Sequence, residues 1–319
     1  MGSHLPYLPV VREAPAVYRP RHPETTFTYR LVRDHFDEFT WVHEDRFEAR
    51  DGPLRSVVRR VVAKYLDCGI LENGFARVRC PECGAEYFCA FSCQTRNFCG
   101  SCQQKRAELL AEKLREDVLA PVEHRHLIFT IPKHLRALFL RERKLLGILP
   151  RAAFETVKRC FRAVLGRRDG VPGMVGALQT FGSQAQWHPH IHSLVSDGIF
   201  LQGGEFIPLP LWSEDFEELL TETFRRLVLD ELVKAERLSS DFREKLLTFR
   251  HGGGFSVYGR HLILNTEPAR LAHMARYMVR PPVAADLTIR SQGNSTSTHG
   301  SWARNGSRQA SMRVAARAA

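Results

Sequence analysis

The hydrophobic positions along the chain follow two periods, one helical and one extended. Apolar residues recur at helical spacing in several stretches, which predict helices at residues 54–66, 103–118, 133–144, 150–165, 214–236 and 267–278. Shorter runs of β-branched and aromatic residues predict strands at residues 126–132, 175–181, 191–200, 254–258 and 261–265. Because strands and helices are mixed at these lengths, we expect an α+β fold with a mostly antiparallel sheet.

The two ends of the chain differ from its centre. Residues 1–25 hold five prolines, and we expect a Pro-rich arm over residues 1–52. The last thirty residues contain five arginines, no acidic residue and few large apolar residues. Such a segment cannot bury a core, which predicts a disordered basic tail over residues 289–319, either a solvated extension or a frameshifted end. Between them we expect a cysteine-rich domain at 53–120 and a larger domain at 121–288.

The charge balance favours a polyanionic partner. With 46 Lys and Arg residues against 35 Asp and Glu residues, the net charge is +11. A basic protein of this kind is a candidate for binding nucleic acid. No run of 18 apolar residues occurs, and the first 25 residues contain no apolar block. We therefore expect neither a membrane-spanning helix nor a secretory signal.

The cysteine spacing predicts a structural zinc site. Cys80 and Cys83 form one Cys-x-x-Cys turn, and Cys99 and Cys102 form a second one fifteen residues later. Two such turns can aim four thiolates at one ion, and four thiolates leave no position open for catalysis. We predict these four residues as zinc ligands, with Cys93 in reserve as a substitute. Buried free thiols are the alternative.

Basic residues surround this cysteine block, with phenylalanines between them. We predict nucleic-acid contact here, although the aromatic residues equally suit the core of a small zinc module. The predicted DNA-binding residues are Arg77, Arg79, Arg96, Lys105 and Arg106.

Two histidines form the most informative short pattern in the larger domain. His190 and His192 flank Ile191 in a predicted strand, so both imidazoles project from one face while Ile191 faces the core. Two imidazoles on one face can hold a divalent cation for phosphoryl chemistry. Two unrelated surface histidines are the alternative.

Two other histidine patterns are interpreted as unrelated to this pair. The sequence His124-Arg125-His126 has a charged residue in its middle position, which does not fit a strand with a buried back. His188 is followed by Pro189, which interrupts the strand pattern. We therefore predict no role for these histidines.

Several motifs in one order resemble a known family. The stretches HLIFTIP (126–132), GALQTFGS (176–183), HPHIHSLVSDGIF (188–200) and RYMVRPP (276–282) are similar to those of HUH-type transposases of rolling-circle insertion sequences. In particular, they resemble those of the insertion-sequence-ninety-one family. The cysteine block, with RCPECG, SCQTR and FCGSC, is similar to the amino-terminal zinc domain of that family.

The resemblance implies a fold, a reaction and a set of site residues. It implies an HUH-endonuclease-like antiparallel sheet flanked by helices, preceded by a small four-cysteine zinc module. It also implies that His190 and His192 bind Mg²⁺ or Mn²⁺, and that Tyr277 attacks single-stranded DNA to form a 5′-phosphotyrosine without a nucleotide cofactor. Gln179, on the neighbouring predicted strand, is our candidate for a third metal ligand. We expect such an enzyme in the bacterial cytoplasm, associated with the nucleoid.

Two departures from the family pattern leave alternatives open. Many relatives carry two tyrosines on the last helix, whereas position 281 here is proline, as in the single-tyrosine branch. Relatives also continue with structured sequence where this chain enters its low-complexity tail, so a truncated, inactive copy is one hypothesis. A replication-initiation nicking nuclease and a non-catalytic zinc DNA-binding protein are the others.

Overall fold

The computed structural model describes residues 21–95, 97–182 and 186–282. Within these residues the chain forms mixed helices and antiparallel strands, as the sequence pattern predicts. The helices of eight or more residues are α1 (Phe27–His43), α2 (Ser56–Leu66), α3 (Gly100–Lys113), α4 (Lys133–Arg141), α5 (Ile148–Val164), α6 (Glu214–Lys234), α7 (Ser240–Leu247) and α8 (Pro268–Met278). The strands are β1 (Phe75–Arg79), β2 (Glu86–Ala90), β3 (His124–Thr130), β4 (Met174–Phe181), β5 (Trp187–Ser196), β6 (Gly198–Phe200), β7 (Phe206–Pro208) and β8 (Ser256–Ile263).

The centre of the molecule is a four-stranded sheet with the order β4-β5-β3-β8, in which every neighbouring pair is antiparallel. Strand β5 lies between β4 and β3, so residues from distant parts of the chain stand opposite it. His192 faces Ala177 on one side and Ile128 on the other. Directly opposite residues project to the same face of a sheet. The register therefore decides which side chains meet at the site.

The two faces of this sheet are covered by different helices. Phe129 and Ile191 on one face pack against α5 and α6, which contribute Phe161 and Phe224 to the same buried cluster. Each such fully buried side chain contributes roughly 1.5–3 kcal/mol through removal of apolar surface from water. Leu194 belongs to a second cluster on the opposite face, where α3 and α8 pack. The prediction that Ile191 faces the core is therefore confirmed.

The amino-terminal part contains two helices, a hairpin and the cysteines. Helix α1 begins after Thr26, whose hydroxyl accepts a hydrogen bond from the backbone N–H of Tyr29. The Tyr29 hydroxyl donates to the carbonyl of Leu66 at the end of α2. Tyr65 packs edge-on against Phe98, with ring centroids 5.1 Å apart. These aromatic contacts hold the helices beside the cysteine-bearing loop.

Most predicted elements are confirmed, and the differences have local causes. The two short strands expected near 254–258 and 261–265 are one continuous strand, β8. The strand expected over 191–200 is divided at Asp197 into β5 and β6. Helix α1 lies within the expected Pro-rich arm, where the sequence pattern predicted no helix. The predicted tail at 289–319 lies outside the described residues. In the part of the chain that the structure describes, no helix combines the length and apolar character that a bilayer crossing requires.

Candidate active site and metal centre

Strand β5 aligns a row of histidines on one face of the sheet. His188, His190 and His192 alternate along the strand, which runs through Pro189 without a break. The ring of His188 lies 4.9 Å from that of His190, centroid to centroid. The interpretation that Pro189 separates His188 from the pair is therefore wrong. Proline tolerates an extended backbone, and only its missing N–H limits its place in a sheet.

The two central imidazoles are spaced as ligands of one ion. The Nε2 atoms of His190 and His192 lie 3.1 Å apart. Two nitrogens bound at ~2.1 Å to one cation, at an angle of about 90–110°, would be about 3.0–3.4 Å apart. The Nδ1 atom of His190 lies 2.8 Å from the carbonyl oxygen of His188, so it carries the proton. Nε2 of His190 is then unprotonated, which is the form in which an imidazole nitrogen binds a metal.

His126 joins the cluster from the neighbouring strand β3. Its Nε2 atom is 3.1 Å from Nδ1 of His192, and the two rings stack at 5.2 Å with an interplanar angle of 6°. The prediction that the His124-Arg125-His126 pattern is unrelated to the site is therefore wrong. The sequence pattern misled because Arg125 is buried on the opposite face, where Asp197 accepts from its guanidinium at 2.9 and 3.0 Å.

Burial keeps these imidazoles neutral. Loss of hydration, with smaller effects of His190, His126 and Arg280, lowers the pKa of His192 to about 3. Burial, with a smaller effect of His261, lowers the pKa of His126 to about 4. The pKa of His190 is lowered by the same desolvation. Because a metal binds the neutral imidazole, the cluster is in its metal-binding protonation state at neutral pH.

Tyr277 lies against this cluster, on helix α8. Its ring centroid is 5.1 Å from that of His192 and 6.2 Å from that of His126, and both contacts are edge-on. The tyrosine is partly exposed. The guanidinium carbon of Arg280 lies 4.5 Å from the centre of the Tyr277 ring. The fold thus brings the predicted nucleophile, the histidine pair and the guanidinium group of Arg280 together.

Gln179 also lies at the site, and one end of its amide is already in use. It stands opposite His190 in the register of β4 and β5. Its Nε2 atom donates to the carbonyl oxygens of Tyr277 and Met278, at 3.3 and 2.8 Å. Its Oε1 atom is buried and has no hydrogen-bond partner among the described residues. The amide therefore caps the end of α8, and its role as a metal ligand stays a prediction.

Four cysteines converge in the amino-terminal part. The Sγ atoms of Cys68, Cys93, Cys99 and Cys102 all lie within 4.8 Å of one another. The distance from Cys68 is 3.7 Å to Cys99 and 3.6 Å to Cys102, and Cys93 lies 3.6 Å from Cys102. Four thiolates at ~2.3 Å from a tetrahedral zinc ion would be about 3.8 Å apart. The spacing of this cluster therefore fits structural zinc.

The cluster differs from the predicted ligand set at two positions. It contains Cys99, Cys102 and the reserve residue Cys93, but Cys68 takes part in place of the first Cys-x-x-Cys turn. Cys80 and Cys83 lie instead at the connection between β1 and β2, where Cys83 is exposed. Both turns have the right local spacing. The hairpin carries the first turn away from the second, which spacing along the chain does not reveal.

Hydrogen bonds within the cluster favour the thiolate form of Cys102. Hydrogen bonds from Cys68 and Cys93 lower the pKa of Cys102, whereas the hydrogen bond with Cys102 raises that of Cys99. The backbone N–H of Cys93 also donates to Sγ of Cys68, at 3.3 Å. A guanidinium nitrogen of Arg21 lies 3.6 Å from the same sulfur. This positive group opposes the excess negative charge that a zinc ion with four thiolates would carry.

The predicted DNA-binding residues have different surroundings. Arg77 pairs with Glu86 across the hairpin at 2.7 Å, and Arg79 approaches the same carboxylate at 3.5 Å. Lys105 is exposed on α3, and Arg106 donates to the carbonyl of Gln94. Arg96 lies outside the described residues. Nucleic-acid contact by this group stays a prediction.

Comparison with known proteins covers both parts of the chain. A family model described as "Transposase zinc-binding domain" matches residues 39–131, and one described as "Putative transposase" matches residues 173–317. The predicted resemblance to the insertion-sequence-ninety-one transposases is confirmed. The match to the zinc-binding domain contains all four clustered cysteines. The match to the second model contains His190, His192 and Tyr277.

Two curated relatives are transposases by name. The chain is 26% identical over 291 residues to "Transposase for insertion sequence element IS801" of Pseudomonas savastanoi pv. phaseolicola, covering 87% of this chain and 66% of the relative. It is 29% identical over 203 residues to "Putative transposase y4qJ" of Sinorhizobium fredii, covering 60% of this chain and 48% of that protein. The chain thus spans less than two thirds of either relative. No solved structure matches it.

Proposed function

We propose that the protein is a transposase that nicks and rejoins single-stranded DNA through a 5′-phosphotyrosine on Tyr277. The observation that carries this proposal is the edge-on contact of the Tyr277 ring with His192, whose Nε2 atom is 3.1 Å from that of His190. A nucleophile beside a two-imidazole metal site suits phosphoryl transfer. The similarity to named transposases supports DNA as the substrate.

The proposed reaction forms one bond and breaks one bond in each step. The phenol oxygen of Tyr277 attacks the phosphorus, and the bond from phosphorus to the 3′ oxygen breaks. The phenol loses its proton, the departing oxygen gains one, and a free 3′-hydroxyl results. In rejoining, a 3′-hydroxyl attacks the phosphotyrosine and the phenol is restored. Each step exchanges one phosphodiester for another, so no nucleotide cofactor is needed.

His190 and His192 are the proposed ligands of the catalytic cation. A bound Mg²⁺ or Mn²⁺ would neutralise charge on the phosphate while the new bond forms. The protein itself contributes neutral imidazoles, held in orientation by His126 and by the carbonyl of His188. Gln179 is the proposed third ligand, because its buried Oε1 atom has no hydrogen-bond partner among the described residues.

Two arginines supply positive charge at the proposed substrate position. Arg280 stacks on the Tyr277 ring, and Arg280 and Arg136 both add to the lowering of the His190 pKa, which burial dominates. These guanidinium groups therefore lie near enough to act on the imidazole. Guanidinium groups bind phosphate oxygens through paired hydrogen bonds, so we assign this pair to the DNA backbone.

The cysteine cluster has a structural part in this proposal. Four thiolates would complete the coordination of a zinc ion and leave no open position. The exposed basic residues of the same domain, including Lys105, then add DNA affinity without sequence preference.

A covalent-adduct assay tests the proposal. The protein is incubated with labelled single-stranded oligonucleotides and Mn²⁺, and a label that survives denaturing electrophoresis marks a protein–DNA bond. We expect adduct with the wild type and none with Tyr277→Phe. Tyr258→Phe is the matched control, because Tyr258 stands opposite Ile128, which in turn stands opposite His192 on the same sheet face. Absence of adduct from the wild type over a panel of oligonucleotides would favour a non-catalytic DNA-binding protein.

A second arm separates a transposase from a replication-initiation nuclease. The adduct is offered a second strand with a free 3′-hydroxyl, either from the ends of the element or from a target sequence. A transposase joins the element end to the target, whereas a replication nuclease rejoins only its own origin sequence.

A further inference from the structure

One helix connects the cysteine cluster with the tyrosine helix. Helix α3 begins at Gly100, directly after Cys99, and carries Cys102 in its first turn. Further along, α3 packs against α8, where Ala111 and Ala275 belong to one buried cluster. The same rigid element therefore starts in the proposed zinc site and ends against the helix that carries Tyr277.

Gln103 makes this connection through hydrogen bonds. It follows Cys102 in the chain, and the residue is buried, with 4% of its surface exposed. Its Oε1 atom accepts from the backbone N–H of Asn97, in the loop between Cys93 and Cys99, at 3.3 Å. Its Nε2 atom donates to the carbonyl oxygen of Val279, at 2.5 Å. A single amide thus bridges the cysteine loop and the end of α8.

The end of α8 needs such donors because the last carbonyls of a helix have no partner within it. Two glutamine amides supply them, one from the sheet and one from α3. Gln179 of the sheet donates to the carbonyls of Tyr277 and Met278, and Gln103 donates to that of Val279. The ion pair from Arg276 to Glu108, at 2.9 Å, also joins the two helices, but it is exposed and correspondingly weak.

We propose that Gln103 is a positioning residue, which makes the placement of Tyr277 depend on an intact cysteine cluster. Without metal, the loop at Asn97 loses its anchor, and the Gln103 amide no longer has a fixed partner on that side. Of the two glutamine amides, only that of Gln179 then still holds the last turn of α8. The catalytic consequence rests on the proposed function, because it assumes that Tyr277 is the nucleophile.

The kinetic test compares Gln103→Met with Gln104→Met. Methionine keeps the length of the side chain and removes the amide, and Gln104 is the exposed neighbour on the same turn. In the adduct assay we expect the maximal rate with Gln103→Met to fall about tenfold, because a small misplacement of a reacting group is costly. The DNA concentration at half-maximal rate should change less than twofold. Gln104→Met should match the wild type. Equal rates for wild type and Gln103→Met would overturn the proposal.

A second test does not depend on activity. Hydrogen exchange is measured on amides 275–280 in the zinc-loaded wild type, in the chelator-treated wild type and in zinc-loaded Gln103→Met. We expect exchange of these amides in the wild type to accelerate about tenfold when zinc is removed. We expect the same acceleration in Gln103→Met while its zinc is still bound. Unchanged exchange in Gln103→Met would overturn the proposed coupling between the cysteine cluster and the end of α8. If the wild type forms no adduct but exchange responds as expected, the proposed function fails and the coupling stands.

Discussion

The ring of Tyr277 lies 5.1 Å from the ring of His192, although the two residues are 85 positions apart in the chain. The contact exists because β5 and α8 meet on one face of the sheet, in the same buried cluster that receives α3. The opposite face carries the larger apolar core. The fold therefore places the row of histidines on the face that has the smaller buried apolar cluster.

The first prediction concerns zinc content. Cys68→Ser should reduce bound zinc from one ion per chain to nearly none, because three thiolates hold zinc less tightly than four and the cluster orders its own domain. The double variant Cys80→Ser/Cys83→Ser should retain one ion, since neither residue belongs to the cluster. Elemental analysis of purified protein gives the ratio. Loss of zinc from the double variant, together with its retention in Cys68→Ser, would contradict this. It would support the ligands that the cysteine spacing predicted, which include Cys80 and Cys83.

Manganese binding provides a second prediction. His190→Ala should weaken Mn²⁺ binding at least tenfold, because it removes one of the two predicted imidazole ligands. His188→Ala should change the affinity less than about threefold, since His188 orients His190 through its backbone carbonyl, which alanine keeps. Titration of zinc-loaded protein followed by electron paramagnetic resonance measures both affinities. A similar loss in the two variants would indicate that His188 is itself a ligand.

The stability of the protein should also depend on pH through the buried histidines. Burial lowers the pKa of His126 to about 4, against about 6.5 in the unfolded chain. The unfolded state therefore binds more protons between these values. The contribution of neutral, buried His126 to the free energy of unfolding is therefore complete above pH 6.5, and it is lost as the pH falls toward 4. The slope for one proton is at most about 1.4 kcal/mol per pH unit.

His126→Gln removes this proton and serves as the comparison. Its free energy of unfolding, from urea titrations at fixed zinc concentration, should fall less steeply than that of the wild type between pH 6.5 and 4. Zinc release at low pH affects both proteins equally and cancels in the difference. Parallel curves would mean that His126 is not the buried neutral group described.

Periodicity along the sequence predicts elements more reliably than it predicts which side chains meet. The predicted helices at 54–66 and 150–165 are confirmed. Each has one apolar stripe, and burial of that stripe is enough to stabilise the helix. His126 was missed because its neighbour Arg125 is charged. Only the tertiary structure shows that the Arg125 charge is compensated on the opposite face of the sheet. Asp197 pairs with the guanidinium, and the guanidinium carbon lies 4.2 Å from the centre of the Trp212 ring.

Cys68 was missed for a related reason. It stands alone in the sequence, twelve positions before Cys80, whereas the Cys-x-x-Cys pairs carry a recognisable spacing. A ligand set assembled from a helix end, a loop and another helix start has no fixed sequence period. The signal in the sequence was the position of Cys68 two residues after an amphipathic helix and directly before a glycine. In the structure Gly69 has a positive φ of 83°.

Single-stranded DNA binding should depend on Arg280 in a salt-sensitive way. Removing one phosphate contact from a single-strand complex lowers the slope of log affinity against log salt by about 0.7. Arg280→Gln should show this change together with weaker binding. Arg237→Gln is the control, because Arg237 pairs with Glu142 at 2.6 Å on another surface. Fluorescence anisotropy over a range of salt concentrations measures both. An unchanged slope for Arg280→Gln would exclude a phosphate contact there.

The most direct test of the account is to find which residue carries the DNA. The covalent adduct is digested with nuclease and protease, and the peptide that keeps a nucleotide is identified by mass spectrometry. The account predicts a nucleotide attached through its 5′ phosphate to Tyr277. Attachment to Tyr258, or to any residue away from the histidine row, would contradict it.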